Sequence, residues 1–400
     1  MPVPYGGRGL ARLRPFAIAG LVALVMVPGL AVAHGLTYVS GHGPTGVGLT
    51  PAGVVRAVHF QRYASGSTVA LLTSNGSTAL LDLILLNGSN EIVLYDAGTN
   101  SSHVVQAAVP GGAGLGLEGL HWAGTAFFLA WYNFTTASAS FEEVTKTGTY
   151  SAVTMPVGNG TLWTIPGGDA SGLFLAATGF LVVVNPRTLT LSANYSLLIP
   201  HRAAPTAVET DASGSSIYVA GTSVSRAGSD RPFFEIISVA NSTGRVLSHG
   251  FATMPSSLSG VFASMAWAHG ELYVSGYILR SNSTGLSTDG GYLYRYDPAS
   301  GIFRNLSVVL PNSTWAVWSV EPWGKSVLLS LGGYVLPSFT VSGGEYQLSA
   351  TGSTLTNRSS VFPTGFVADF LGITSRSGSF YFLGGYDQPS FSGEVVAVRL

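Results

Sequence analysis

The chain has 400 residues, of which 46% are hydrophobic, 11% aromatic and only 9% charged, against roughly 25% charged in ordinary soluble proteins. That apolar content excludes disorder, and no run of about 18 apolar residues follows the N-terminal segment, which excludes a multi-span membrane protein. Eighteen basic and 19 acidic residues leave a net charge of −1 with no Lys/Arg run, so nucleic acid is excluded as a partner, and the lack of cysteine excludes disulfides, thiolate metal sites and thiol catalysis.

The N-terminus reads as an export signal. Arg8, Arg12 and Arg14 precede the apolar stretch Phe16–Val27; Pro28 and Gly29 then break the helix before Ala31-Val32-Ala33. This is an A-x-A cleavage pattern, giving a signal peptide over 1–33 and a propeller domain over 34–400. An uncleaved anchor is the rival reading, and it would be the only membrane contact. Either form places the bulk of the chain outside the cytoplasm, secreted or at the cell surface. Removing the three arginines leaves 15 basic against 19 acidic residues, a net of −4.

Strand-turn-strand units follow: STVALLTS (67–74), TAFFLAWY (125–132), GLFLAATG (172–179), SIYVAGTS (216–223), ELYVSGYI (271–278), SVLLSLGG (326–333) and SFYFLGGY (379–386). With Val69, Ala126, Leu173, Ile217, Leu272, Val327 and Phe380 as equivalent points, the spacings are 57, 47, 44, 55, 55 and 53. A loose period near fifty in an all-β chain predicts propeller blades. Each unit is preceded by another apolar strand and followed by a second hairpin, as in YLYRYDPASGIF (292–303), where Asp297 opens the turn; Asp96 and Asn185 do so in theirs. The expectation is an all-β, seven-bladed β-propeller with four-stranded blades. The final strand 394–400 has no fourth partner, and the N-terminal strand 35–41 is spare; their pairing would close the ring. Six or eight blades are the competing counts.

Of 13 asparagines, 11 stand in N-x-S/T: Asn75, Asn87, Asn100, Asn133, Asn159, Asn194, Asn241, Asn282, Asn305, Asn312 and Asn357. Chance in a chain this rich in Ser and Thr gives about three. The excess points to glycosylation, which would also keep a surface poor in charge soluble. Asn100, Asn194, Asn305 and Asn357 fall at the expected outer strand, where a side chain meets water.

LSLGGY (329–334), YFLGGYD (381–387) and GGYLYRYDPASGIF (290–303) resemble the kelch repeat, with its double glycine after the second strand. DASGSSIYVAG (211–221) is similar to the YVTN-type propellers of microbial surface proteins. Both resemblances imply the fold and a surface location, and neither carries functional residues.

Propeller enzymes build sites at the central channel, so polar residues on the expected inner strands are the candidates. These are Arg56 and His59 in VVRAVHF, Glu118 and His121 in GLEGLHW, and Glu209, Glu321 and Asp369. Glu118 and Glu209 both stand eight residues before their blade's equivalent point, which suggests like positions. Such a ring of carboxylates and imidazoles could hold a divalent cation, or simply bond backbone and water in a wet channel. No H-E-x-x-H, G-x-S-x-G or strand-to-helix glycine motif occurs. The seven tryptophans suit sugar stacking or, more often, blade packing.

Two functions follow: a glycosylated scaffold binding a protein or glycan partner at the cell surface, with no cofactor, or a lyase or hydrolase with a divalent cation at the channel. The scarcity of charge also suits an acidic medium, where carboxylates are neutral.

Overall fold

The computed structural model describes residues 46–49, 55–85, 89–105, 115–133, 135–136, 138–145, 148–156, 166–169, 172–177, 179–197, 204–223, 233–253, 260–282, 285–311, 315–335, 340–358, 366–368, 380–387 and 392–399. Two strands lead in, β1 (Gly46–Leu49) and β2 (Val55–Ser65). Blade 1 is β3 (Ser67–Ser74), β4 (Thr78–Leu85), β5 (Asn90–Asp96) and β6 (Ser101–Val105). Blade 2 is β7 (Leu115–Trp122), β8 (Phe127–Asn133), β9 (Ser138–Thr145) and β10 (Gly148–Pro156). Blade 3 is β11 (Pro166–Asp169), β12 (Gly172–Ala177), β13 (Gly179–Asn185) and β14 (Thr190–Leu197). Blade 4 is β15 (Ala204–Thr210), β16 (Ser216–Ser223), β17 (Phe233–Ala240) and β18 (Val246–Thr253). Blade 5 is β19 (Gly260–Ala268), β20 (Glu271–Asn282), β21 (Gly285–Asp297) and β22 (Ile302–Asn305). Blade 6 is β23 (Ala316–Trp323), β24 (Ser326–Val335), β25 (Thr340–Leu348) and β26 (Leu355–Asn357). The last strands are β27 (Phe366–Ala368), β28 (Phe380–Asp387) and β29 (Ser392–Arg399).

Six sheets are four-stranded antiparallel meanders in chain order, and the seventh runs β1-β2-β29-β28-β27. The fold is therefore the expected seven-bladed propeller. The first strand of each blade is the inner one: β3, β7, β11, β15, β19 and β23 each lie beside the next, and β28 and β29 return to β3. Among the described residues the only helical element is a single 3-10 turn, Ser307–Val309, and no helix is long and apolar enough to cross a membrane.

Two expectations shift. STVALLTS is the inner strand β3, and the second strand is TALLDLIL, so the first equivalent point is Ala79 and its spacing to Ala126 falls to 47. The apolar run of β3 reads like a second strand because it too is covered on both sides. Closure is made by β2, whose residues Val58–Arg62 pair with Val398–Glu394 of β29. The segment 35–41, like the signal segment, lies outside the described residues.

The turns have the predicted chemistry. Asp96 Oδ1 accepts from the Thr99 N–H at 2.9 Å, Asn185 Oδ1 from the Arg187 N–H at 2.8 Å, and Asp297 Oδ1 from the Ala299 N–H at 2.9 Å. Gly301, at φ 69°, ends the Asp297 turn by donating to Asp297 O, a left-handed position that glycine takes without strain. Five inner strands carry a bulge at one shared level. Among the described residues the register there skips Ala70, Glu118, Thr206, Ala263 and Trp318.

Apolar side chains from facing sheets fuse neighbouring blades into cores. Leu71, Leu80 and Leu129 join blades 1 and 2; Phe128 and Leu175 join 2 and 3; Phe174 and Ile237 join 3 and 4. Tyr218 and Tyr296 join 4 and 5, Tyr273 and Leu329 join 5 and 6, and Phe382 with Val69 joins 7 and 1. Each such side chain contributes about 1.5–3 kcal/mol. The double glycine of YFLGGYD has a packing reason here. A Cβ on Gly384 would lie 2.5 Å from Val69 Cγ1 of blade 1. Gly384→Ala should therefore cost roughly 1–3 kcal/mol in denaturant unfolding; an unchanged midpoint would refute this close approach.

Candidate functional site

Pairing across the inner hairpins defines which residues share a level along the inner strands. His121 pairs with Phe128, Glu209 with Tyr218 and Glu321 with Leu328, each one residue beyond the second strand's equivalent point when Phe127 is taken for blade 2. These three therefore share one level on blades 2, 4 and 6, beside the tight turns. Thr73, Gly167 and Ala266 hold that level on blades 1, 3 and 5. Glu118 does not share it. It is the unpaired residue of the blade 2 bulge, and the turn after β15 is longer than that after β7, so counting residues misaligned it with Glu209.

Arg56 and His59 are placed on β2, the strand outside β29, rather than on an inner strand; Arg56 pairs with Gly48 and His59 with Ala397. Asp369 lies outside the described residues. Around the level of three, His121 packs its ring edge-on to Phe141 at 6.4 Å, and Glu209 Oε1 accepts from the Thr210 N–H at 3.1 Å. Among the described residues no three His, Asp or Glu side chains stand close enough to hold a metal ion.

The described tryptophans pack against blade residues. Trp267 stacks on Tyr218 at 5.4 Å, Trp318 lies tilted against Tyr277 at 4.7 Å, and Trp323 meets Tyr381 edge-on at 4.7 Å, each bridging two blades. Trp131 Nε1 donates to Glu142 Oε2 at 3.0 Å. Trp163 lies outside the described residues.

The strongest electrostatics belong to residues that sequence reasoning passed over. Asp82, Glu142, Glu345, Asp387 and Glu394 are all buried, on middle strands. The signal was legible in TALLDLIL, where one acid interrupts an apolar strand. Asn90 Nδ2 donates to both carboxyl oxygens of Asp82 at 2.9 Å, yet burial still pushes Asp82 up to about 7. Burial pushes Glu345 up to about 8, against the opposing pull of Arg358 and the Tyr381 hydroxyl, which donates to Oε2 at 3.3 Å. Burial also pushes Glu394 up to about 7, opposed by Arg62 and aided by Asp387. Arg62, on β2, stands 3.3 Å from Asp387 and 3.6 Å from Glu394, tying the N-terminal strand to the blade it closes.

No protein-family model matches the chain, and no curated protein matches it. Among solved structures it is similar to YCF48 bound to a D1 peptide, with a TM-score of 0.50 and 13% identity over 86% of this chain and 95% of that one. It is also similar to the β-propeller domain of the Trilobed protease from Pyrococcus furiosus (TM-score 0.49, 10% identity, 84% and 94% covered). A third is puromycin hydrolase (TM-score 0.48, 14% identity, 89% and 54% covered). At these identities the likeness establishes the propeller fold alone. The kelch and YVTN resemblances stay likenesses of motif.

Three carboxyls held above their unfolded values fix a sign for pH. Below pH about 4 both states are neutral; as pH rises toward 7–8 the unfolded chain ionises while these groups do not, so stability is lost. The urea midpoint should be highest near pH 4–5 and fall toward pH 8, and Asp82→Asn should flatten part of that slope. A midpoint that rises with pH over this range would contradict the assignment.

Proposed function

We propose that this chain is a secreted, glycosylated propeller that serves as a binding scaffold at the cell surface for a protein or glycan partner. The observation that carries it is where the chemically capable side chains are engaged. Asp82 binds Asn90, Glu142 binds Trp131, Glu345 receives Tyr381, Glu394 faces Arg62, and the described tryptophans pack on blade residues. Groups tied up in this way hold blades together, and recognition then falls to surface loops.

The glycan part of the reading is supported by exposure at the rim. Asn194 on β14 and Asn305 on β22 are exposed on outer strands, whose free edges a glycan would guard. Part of the sequon excess has a second cause, because the residue two after the asparagine often donates to it. Asn75 Oδ1 accepts from the Ser77 N–H at 3.0 Å, Asn133 Oδ1 from Thr135 at 2.9 Å and Asn305 Oδ1 from Ser307 at 2.8 Å. These bonds use the carbonyl oxygen and not the amide nitrogen that a glycan needs. Asn241 is different, since its Nδ2 donates to Gly214 O at 2.9 Å. Asn87, Asn159 and Asn312 lie outside the described residues.

The second reading, a lyase or hydrolase with a divalent cation at the channel, is favoured by the shared level of His121, Glu209 and Glu321. Thermal unfolding with and without Mg²⁺ or Ca²⁺ separates the two. A metal-dependent rise that Glu209→Ala and Glu321→Ala abolish would favour the enzyme, and indifference to metal favours the scaffold.

Mass spectrometry of native protein should find glycan on Asn194 and Asn305 and none on Asn241. Bare asparagine throughout would remove glycosylation from this reading. Affinity capture from the source's own envelope should retain a partner, and its loss on shortening the loops between blades would locate the binding face.

A further inference from the structure

The ring is not uniform. Among the described residues six of its seven interfaces hold a continuous apolar core, and the interface between blades 6 and 7 does not. Register shows what lies there. Paired residues of antiparallel strands project to the same side of the sheet. Phe382 and Val395 turn toward blade 1, in the shared apolar core. Tyr381, Asp387 and Glu394 therefore turn the other way, toward blade 6, and Arg62 goes with its partner Glu394. From blade 6, Glu345 and Gln347 face them, because Tyr346 and Leu348 belong to the core shared with blade 5.

Arg358, following β26, completes the group. Its Nη1 donates to Gln347 Oε1 at 2.8 Å, and its guanidinium lies 5.6 Å from the Trp323 ring centre. Aliphatic side chains are present but interleaved with these polar ones: Leu328 on blade 6, Leu383 and Val396 on blade 7, all buried. Among the described residues, Arg358 from its own blade and Tyr381 from β28 face Glu345; on the same face β24 adds Ser330 and β23 adds Glu321, whose partner Leu328 turns to this interface. The charged groups facing Glu394 are Arg62 from β2 and Asp387 from β28.

Blade 7 is fastened differently on its other side. Besides the apolar core, the Phe380 N–H donates to Gly76 O and the Gly393 N–H to Ser67 Oγ, both at 2.9 Å. Tyr63 and Ser102 hydroxyls meet at 3.1 Å. Blade 7 is also continuous with blade 1, since only Gly66 separates β2 from β3. Parting it from blade 1 would expose apolar surface and break backbone bonds. Parting it from blade 6 exposes Leu328, Leu383, Val396 and the Trp323–Tyr381 contact, but with them charged groups that water solvates well.

We propose that the interface between blades 6 and 7 is the ring's pH-dependent opening: neutral Glu345 and Glu394 hold it shut, and their ionisation loosens it while blade 7 stays on blade 1. Two buried carboxylates across one interface cost desolvation that a single nearby arginine each does not repay. An opened interface hydrates them and their arginines together. The opening constant should rise by up to about tenfold per pH unit per group between the open-state and closed-state values, then level off.

Hydroxyl-radical footprinting of the full chain, read residue by residue, tests this. Between pH 5 and pH 9, labelling should rise several-fold at Tyr381 and Leu383, with Phe382 and Tyr273 in neighbouring interfaces unchanged. The Glu345→Gln, Glu394→Gln double variant should abolish the rise. If that variant does not fold, Tyr381→Phe serves instead: it removes a donor that favours the ionised form in the closed ring, so the rise at Leu383 should begin at the same pH and continue to higher pH before levelling off. Equal labelling of all four residues, no rise at Tyr381, or a rise that survives either variant unshifted would overturn the proposal.

Discussion

A propeller blade is a sheet with two faces, and neither can be left to water. Every blade here therefore depends on a neighbour at each side, and the array reaches stability only when the last blade covers the first. That constraint explains the size of the aromatic and aliphatic fraction, and why tyrosines and tryptophans so often bridge blades. It also explains the closing strand. Without β2, the edge of β29 would be open, and the blade whose faces cover both blade 1 and blade 6 would be incomplete.

The same constraint accounts for where the few charges went. With 9% of residues charged, five acids among the described residues are nonetheless buried. They are not spread evenly. Asp82 and Glu142 lie on the faces that blades 1 and 2 turn to each other, as their pairing with Ile92 and Leu129 of that shared core shows. Glu345, Asp387 and Glu394 lie between blades 6 and 7. The interfaces from blade 2 round to blade 6 are joined by apolar cores. Buried acids thus lie at the two interfaces on either side of the one between blades 7 and 1. Burial holds Asp82, Glu345 and Glu394 toward the neutral carboxyl, which adds directional bonds at a lower desolvation cost than an ion.

Most of the architecture was legible in the sequence because it rests on local patterns: apolar runs, Asx turns and a loose period. What was not legible depended on pairing. STVALLTS and TALLDLIL are both apolar strands of similar length, and only the partner decides which is inner. VVRAVHF likewise reads as an inner strand until its ladders place it between β29 and β1, on the outer side of the blade. The double glycine was visible as a motif, but its cause, the approach of Val69 from another blade, joins residues far apart in the chain. The sequons were visible too, and the structure divides them by which amide atom is engaged.

The channel shows most clearly how pairing and counting diverge. Counting back eight residues matched Glu118 with Glu209, whereas the ladders match His121 with Glu209 and Glu321. The recurring bulge is part of the reason. It inserts one residue at a fixed depth in five inner strands, and a bulge re-aims the side chain it displaces. At that depth the chain holds Ala70, Thr206, Ala263, Trp318 and Glu118, four residue types on one backbone feature. The turns select Asp or Asn, whose side-chain oxygen caps the backbone, whereas the bulge selects no one residue type. The backbone feature is therefore repeated while the residue it carries varies among the blades.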